Sequence, residues 1–443
     1  MYRSERSAMK DRINPGHVSQ KALAEENTIS SLTGQGDGKQ FQELQGTSSK
    51  TRLYRNGDIK DINYVDRPLV RSKGPPISSP QRKLVLHFDI RNTILVADSV
   101  TKVNVEQALN SFLTSVTWGR VDRSSGKWTW HSATPCLTPP APHTVTYYKH
   151  LERQLVQTPE DRQKLRFTTA DFTQKGLGKM FLPYFEKHMR LLRWRYTRDE
   201  ETLNRLTMKG KDQALYHYIL PSFFKLMYHL KKSGRDFAII FRTYGLDAKN
   251  VLRSTEYTIN GNHPQFPESL DMTVNTVPGT IYRSAKNDVI LRVCTKSSDP
   301  SSFTTYRNER DIYDTLSKMG GVCGFKDDFL HWQNHGYHYT SGKPLWVDPT
   351  DESVHHIIFD DNMRTYEDDN IVDLRIFGGH HVSSVPKAEV RKYEDVFMVQ
   401  SDLMASIEHE DYFINKVRLC EENYSKLLKD GIVRPPHSST LCM

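Results

Sequence analysis

The stretch Lys83–Leu95, KLVLHFDIRNTIL, constrains the fold more than any other part of this 443-residue chain. Leu84, Val85, Leu86 and Phe88 form a short run that is apolar on both faces and stops on an acid, Asp89. A run of that kind suits a strand covered on both sides in the middle of a parallel sheet. Open α/β sheets gather ligands at the carboxyl ends of such strands. Asp89 is therefore the first candidate functional residue.

Two further runs share this design. Phe237–Phe241 (FAIIF) closes on Arg242-Thr243-Tyr244-Gly245, and His356–Phe359 (HIIF) is followed by Asp360-Asp361-Asn362. Val289–Val293 and Leu345–Val347 are additional strand candidates. Between them, apolar residues at helical spacing predict helices over Val103–Leu113, 145–165, 176–206, Pro221–Lys232, Val396–Ile407 and Tyr412–Leu428. VTWGRV and KWTWHSA flank the polar DRSSG and predict a β-hairpin. Strands alternating with helices indicate an α/β fold with a Rossmann-like parallel sheet. Residues 1–80 are rich in Ser, Gly, Gln and mixed charge, with too few large apolar side chains to offset the entropy of ordering. They are expected to be a disordered tail, and a tail of this kind can dock a protein partner.

Composition narrows the functional classes. The net charge of +8 is spread over the chain without a concentrated basic run or a basic-aromatic motif, so nucleic acid is not an expected partner. The five cysteines are scattered and form no C-x-x-C pair, which argues against a disulfide framework or a zinc cluster. No run is apolar and long enough to span a bilayer, and the first residues lack the apolar core of a secretory signal. A cytoplasmic protein without a membrane partner is the expectation.

If the three strands are neighbours, Asp89, Thr243 and the pair Asp360-Asp361 open on one sheet edge. Carboxylates facing each other repel unless a cation lies between them. Hard oxygen ligands around a small opening suit Mg²⁺, which keeps waters and a phosphate in its shell. A hydroxyl such as that of Thr243 would donate to a phosphate oxygen, and a lysine would offset the negative charge.

In these features the chain resembles the haloacid dehalogenase-like (HAD) superfamily, over roughly residues 82 to 435. The matching elements, in order, are Asp89-Ile90-Arg91-Asn92-Thr93 after a strand, FAIIFRT ending at Thr243, Gly342-Lys343-Pro344, and IIFDD. The resemblance implies a Mg²⁺-dependent phosphatase in which Asp89 is the nucleophile and forms an aspartyl-phosphate that water hydrolyses. It also implies that Asp89, Asp360 and Asp361 hold Mg²⁺ and that Thr243 holds the transferring group. Lys343 would keep Asp89 ionised, as an adjacent cation favours a charged carboxylate. Residues 81–95 and 214–435 would be the HAD-like core, and 96–213 an inserted flap and helical cap. The substrate would be a phosphorylated small molecule or protein.

The pattern departs from the family at Arg91, where the phosphatases carry a second aspartate that protonates the leaving group and activates water. A guanidinium cannot serve as that base. Arg91 could bind a phosphate bidentately or pair with Asp89. The alternative is therefore a weak or inactive relative that binds a phosphorylated ligand or a protein. Lys286, Lys296 and Lys326 are rivals to Lys343. Asp368 and Asp369 read as a solvated loop from which one carboxylate could reach the metal. His355 and His356, adjacent on a strand, point to opposite faces and read as structural. Cys294 and Cys323 lack a paired base.

Overall fold

A computed structural model describes residues 81–96, 103–158, 161–284, 286, 288–295, 299, 301–365, 370–379 and 381–431. The expected tail (1–80), Lys296, Asp368 and Asp369 lie outside the described residues. The main sheet has eight strands. From edge to edge they are Phe303–Tyr306, Val289–Cys294, Gly279–Arg283, Gly321–Lys326, Phe237–Thr243, Lys83–Asp89, Val354–Asp360 and Met398–Gln400. Every pairing from Gly279–Arg283 onward is parallel, and the two remaining pairings are antiparallel. The strand ending in Asp89 is thus interior, as its two-sided apolar pattern requires.

Outward from that strand, the chain builds first through Phe237–Thr243 and Gly321–Lys326. It then crosses to the other side and lays down Val354–Asp360 and Met398–Gln400. Strand order reverses between the Asp89 and Asp360 strands, and a crevice opens at such a switch point.

Both faces of the sheet are covered. Leu84, Leu86, Phe88, Ile239, Phe241, Ile357 and Phe359 pack against helices Pro221–Lys232, Ala248–Ile259 and Tyr412–Lys429. Phe88 stacks on Phe359 with centroids 4.5 Å apart and meets the edges of Phe223 and Phe413. Burying each such ring contributes about 1.5–3 kcal/mol. On the opposite face, Val85, Ile240 and Ile358 meet helix Glu309–Lys318 and a separate three-stranded sheet of Lys343–Val347, Val372–Gly378 and His381–Ser384.

Several expectations need correction. Leu345–Val347 is a strand, within Lys343–Val347, but it belongs to the small sheet. All five of its residues are buried, and a pattern apolar on both sides does not say which layer it enters. Val396–Ile407 is not one helix: Met398–Gln400 forms the sheet edge, and Asp402 caps a shorter helix, Leu403–Glu408, by accepting from the Ala405 N–H at 3.0 Å. The apolar run Val396–Val399 fits either period, and the cap at Asp402 decides where the helix begins. The helix over 145–165 is divided into Tyr147–Leu155 and Arg162–Thr169, and that over 176–206 into Leu182–Leu192 and Glu200–Leu206.

In the inserted region, helix Val105–Val116 opens with a capping box between Asn104 and Gln107. The predicted hairpin forms from Trp118–Val121 and Trp128–Trp130, with Val145–Thr146 added on its other side. Leu109, Phe112, Leu113, Phe172 and Phe181 share one apolar cluster with Leu220, Leu403 and Met404. The insertion thus packs directly on core elements. No helix among the described residues is long and apolar enough to cross a membrane.

Candidate functional site

Asp89 ends its strand in register with Arg242, and Asp360 ends the neighbouring strand. One carboxylate oxygen each from Asp89, Asp360 and Asp361 lies within 4.8 Å of the others. Lys343 enters from the small sheet and donates to Asp89 Oδ1 at 2.5 Å and Asp360 Oδ2 at 2.7 Å. Its side chain is fully buried. The strand that carries it docks closely at Gly342, where a Cβ would stand 2.2 Å from the Ile371 carbonyl oxygen. The rival Lys326 is in register with Thr243 on the far side of that strand.

The turns behind the acids are built from asparagines. Asn92, in the left-handed region at φ 58°, donates to Asp361 Oδ2 at 3.1 Å. Asparagine tolerates that conformation better than most residues. The Asn362 N–H donates to Asp360 Oδ1 at 2.9 Å and its side-chain amide to Asp361 Oδ1 at 3.2 Å. Arg364 donates to Asn362 Oδ1 at 3.4 Å.

The electrostatics are unbalanced. Asp89 and Asp360 share the one ammonium of Lys343 at bonding distance, whereas Asp361 is held by the amides of Asn92 and Asn362. Burial pushes the Asp89 carboxyl well up; Lys343 opposes this, and Asp360 and Asp361 add to it. Burial and Asp360 push Asp361 up to about 7, against the Asn92 bond and the charges of Arg364 and Lys343. Burial works against the Lys343 ammonium, yet Asp360 and Asp89 hold it above its ordinary value. Lys343 thus favours the charged form of Asp89, while burial and the two neighbouring acids oppose it. An all-oxygen set of three converging carboxylates fits a hard divalent ion.

Thr243 plays a more local part. Its hydroxyl accepts from the Gly245 N–H at 2.9 Å and its carbonyl from the Asp327 N–H at 2.8 Å, so its described bonds close the turn. Arg91 is half-buried, with its backbone bridged to Leu95. His356 shares a hydrogen bond of 3.1 Å with His87 and one of 2.9 Å with Ser317, while His355 reaches the Val396 carbonyl on the other side.

Sequence reasoning missed the support beneath the site. Arg242, fully buried, pairs with both oxygens of Asp327 at 2.9 and 2.6 Å and donates to the Pro344 carbonyl at 3.1 Å. It thereby ties the Thr243 strand to the residue after Lys343. An arginine inside an otherwise apolar strand was the available signal, because buried charges are almost always paired. The loop before Lys343 was missed as well. Tyr244 lies 5.1 Å (ring centroid) from Lys343 Nζ and stacks on Trp332.

No protein-family model, no curated protein and no solved structure matches this chain.

Proposed function

We propose that the protein is a HAD-like, Mg²⁺-dependent phosphohydrolase that uses Asp89 as its nucleophile. The reading is carried by one observation: three buried or half-buried carboxylates from two neighbouring strand ends converge, and a single buried lysine bridges two of them. Asp89, Asp360 and Asp361 would hold the ion, which when bound supplies positive charge for a phosphate's oxygens. Lys343 orients the Asp89 carboxylate and shares its charge with Asp360. Asp89 attacks phosphorus, the ester oxygen departs with its electron pair, and water later cleaves the aspartyl-phosphate. Asn92 and Asn362 fix the Asp360-Asp361 pair against rotation. Thr243 shapes the turn that faces the transferring group. The substrate is a phosphorylated small molecule or protein. A cytoplasmic setting suits the scattered cysteines, which form no C-x-x-C pair.

Arg91 favours a second reading, a protein that binds a phosphorylated ligand with little turnover. General acid–base assistance is worth about 10²–10⁴-fold, and a guanidinium does not provide it. Hydrolysis of p-nitrophenyl phosphate, whose leaving group needs little protonation, separates the two. The first reading expects activity that requires Mg²⁺ and disappears in Asp89→Asn. Activity that emerges only in Arg91→Asp, with wild type binding phosphate but releasing no product, would establish the second.

A further inference from the structure

A chain of aromatic rings leads from the acidic site toward the inserted region. The Tyr244 ring lies 5.1 Å from Lys343 Nζ on one side and stacks on Trp332, 5.4 Å away and 17° from parallel. Phe329 meets the edge of Tyr244 at 5.5 Å. Tyr337 meets Trp332 edge-on at 5.1 Å, and the guanidinium of Arg162, from the insertion, lies 4.8 Å over Tyr337. Rings fixed on two sides have little freedom to turn their polar atoms elsewhere.

Within this array the Tyr244 hydroxyl and the Trp332 indole N–H are both buried and have no hydrogen-bond partner among the described residues. Buried polar groups are almost always paired, so an orphan calls for an explanation. Tyr244 directly follows Thr243, whose strand neighbours that of Asp89, and its ring faces the lysine that bridges Asp89 and Asp360. We infer that the Tyr244 hydroxyl donates a hydrogen bond to an oxygen of the transferring phosphoryl group, with Trp332 as the shelf that holds the ring in place. This rests on the phosphohydrolase reading. The group acts as a donor and not as an acid: burial first, then the charges of Asp327 and Asp360, push its pKa well up, so it keeps its proton. It does not replace the aspartate absent at Arg91. It adds an oxyanion contact and selects for a tetrahedral oxyanion.

The test is Tyr244→Phe, which removes the oxygen and keeps the ring. Thermal unfolding, kcat/KM for p-nitrophenyl phosphate with Mg²⁺, and calorimetric binding of inorganic phosphate and vanadate would be measured for both proteins. The expected result is a fall in kcat/KM of about 10²- to 10³-fold, at least tenfold weaker vanadate binding, and a Tm unchanged or raised. Unchanged kcat/KM and vanadate affinity would overturn the inference while leaving the phosphohydrolase reading intact. So would a loss of activity that accompanies a lowered Tm, since the hydroxyl would then be serving the fold. If wild type neither hydrolyses the ester nor binds phosphate or vanadate, the parent reading fails and this one with it. If wild type binds without turnover, the vanadate arm alone decides.

Discussion

Lys343 is the residue on which the site's charge depends. Replacing it by methionine removes the only ammonium among the described residues bonded to Asp89 and Asp360 and leaves their carboxylates buried without that cation. Breaking a buried pair in this way costs about 3–5 kcal/mol. Lys343→Met is expected to lose that much stability in urea unfolding at pH 7.5. The loss should shrink as pH falls, because burial pushes the Asp89 carboxyl up and eases its protonation. Asp361 makes the complementary prediction. With its pKa pushed up to about 7 by burial and Asp360, a proton competes with any cation below that pH. Mg²⁺ affinity measured by calorimetry should rise with pH up to about 7 and then level, by up to tenfold per pH unit. An affinity flat from pH 5.5 to 8 would contradict this.

Among the elements, strands were legible in sequence where burial on both faces left a continuous apolar run ending in a polar residue, as at Asp89, Thr243 and Asp360. Gly279–Arg283 and Gly321–Lys326 were not, because Gly, Arg and Lys interrupt their apolar character and only their neighbours in the sheet complete it. The acids were legible because they stand at strand ends, and Lys343 was singled out through the resemblance and its distance before the acidic pair. Arg242, Asp327, Asn92 and Tyr244 were not, because their partners lie far away in the chain or in turns whose geometry no periodicity reports. The strand Val354–Asp360 carries its own prediction. Burial pushes His355 and His356 down to about 3, whereas an unfolded histidine titrates near 6.5. Both are neutral in either state at pH 8, so they cost nothing there. Below about 6.5 the unfolded chain binds the protons first, and stability falls until the folded pKa is reached. The slope is about 1.4 kcal/mol per pH unit for each such histidine. His355→Phe should reduce the slope of unfolding free energy between pH 6 and pH 4 by about one proton's worth.

At the scale of the whole molecule, the helix-covered face of the main sheet is centred on Phe88, fully buried among Phe359, Phe223 and Phe413. Phe88→Ala should cost about 3–5 kcal/mol. It sits next to Asp89 but faces the other layer, so loss of activity in this variant should follow its loss of folded protein and not exceed it. The α/β class and the mostly parallel sheet follow from strand and helix alternation. The second sheet does not, since nothing local distinguishes a strand of one layer from a strand of another.

That second sheet carries Lys343, while Asp89 and Asp360 ride on the first. The two ion pairs therefore act as a bolt driven through the seam between layers. Whatever alters the charge on those acids also alters how firmly the smaller sheet is fastened. Saturating the crevice with a divalent ion would draw the acids' charge away from the bolt, and the effect should be readable as a change in amide exchange along Val372–Gly378, at a distance from the ion itself.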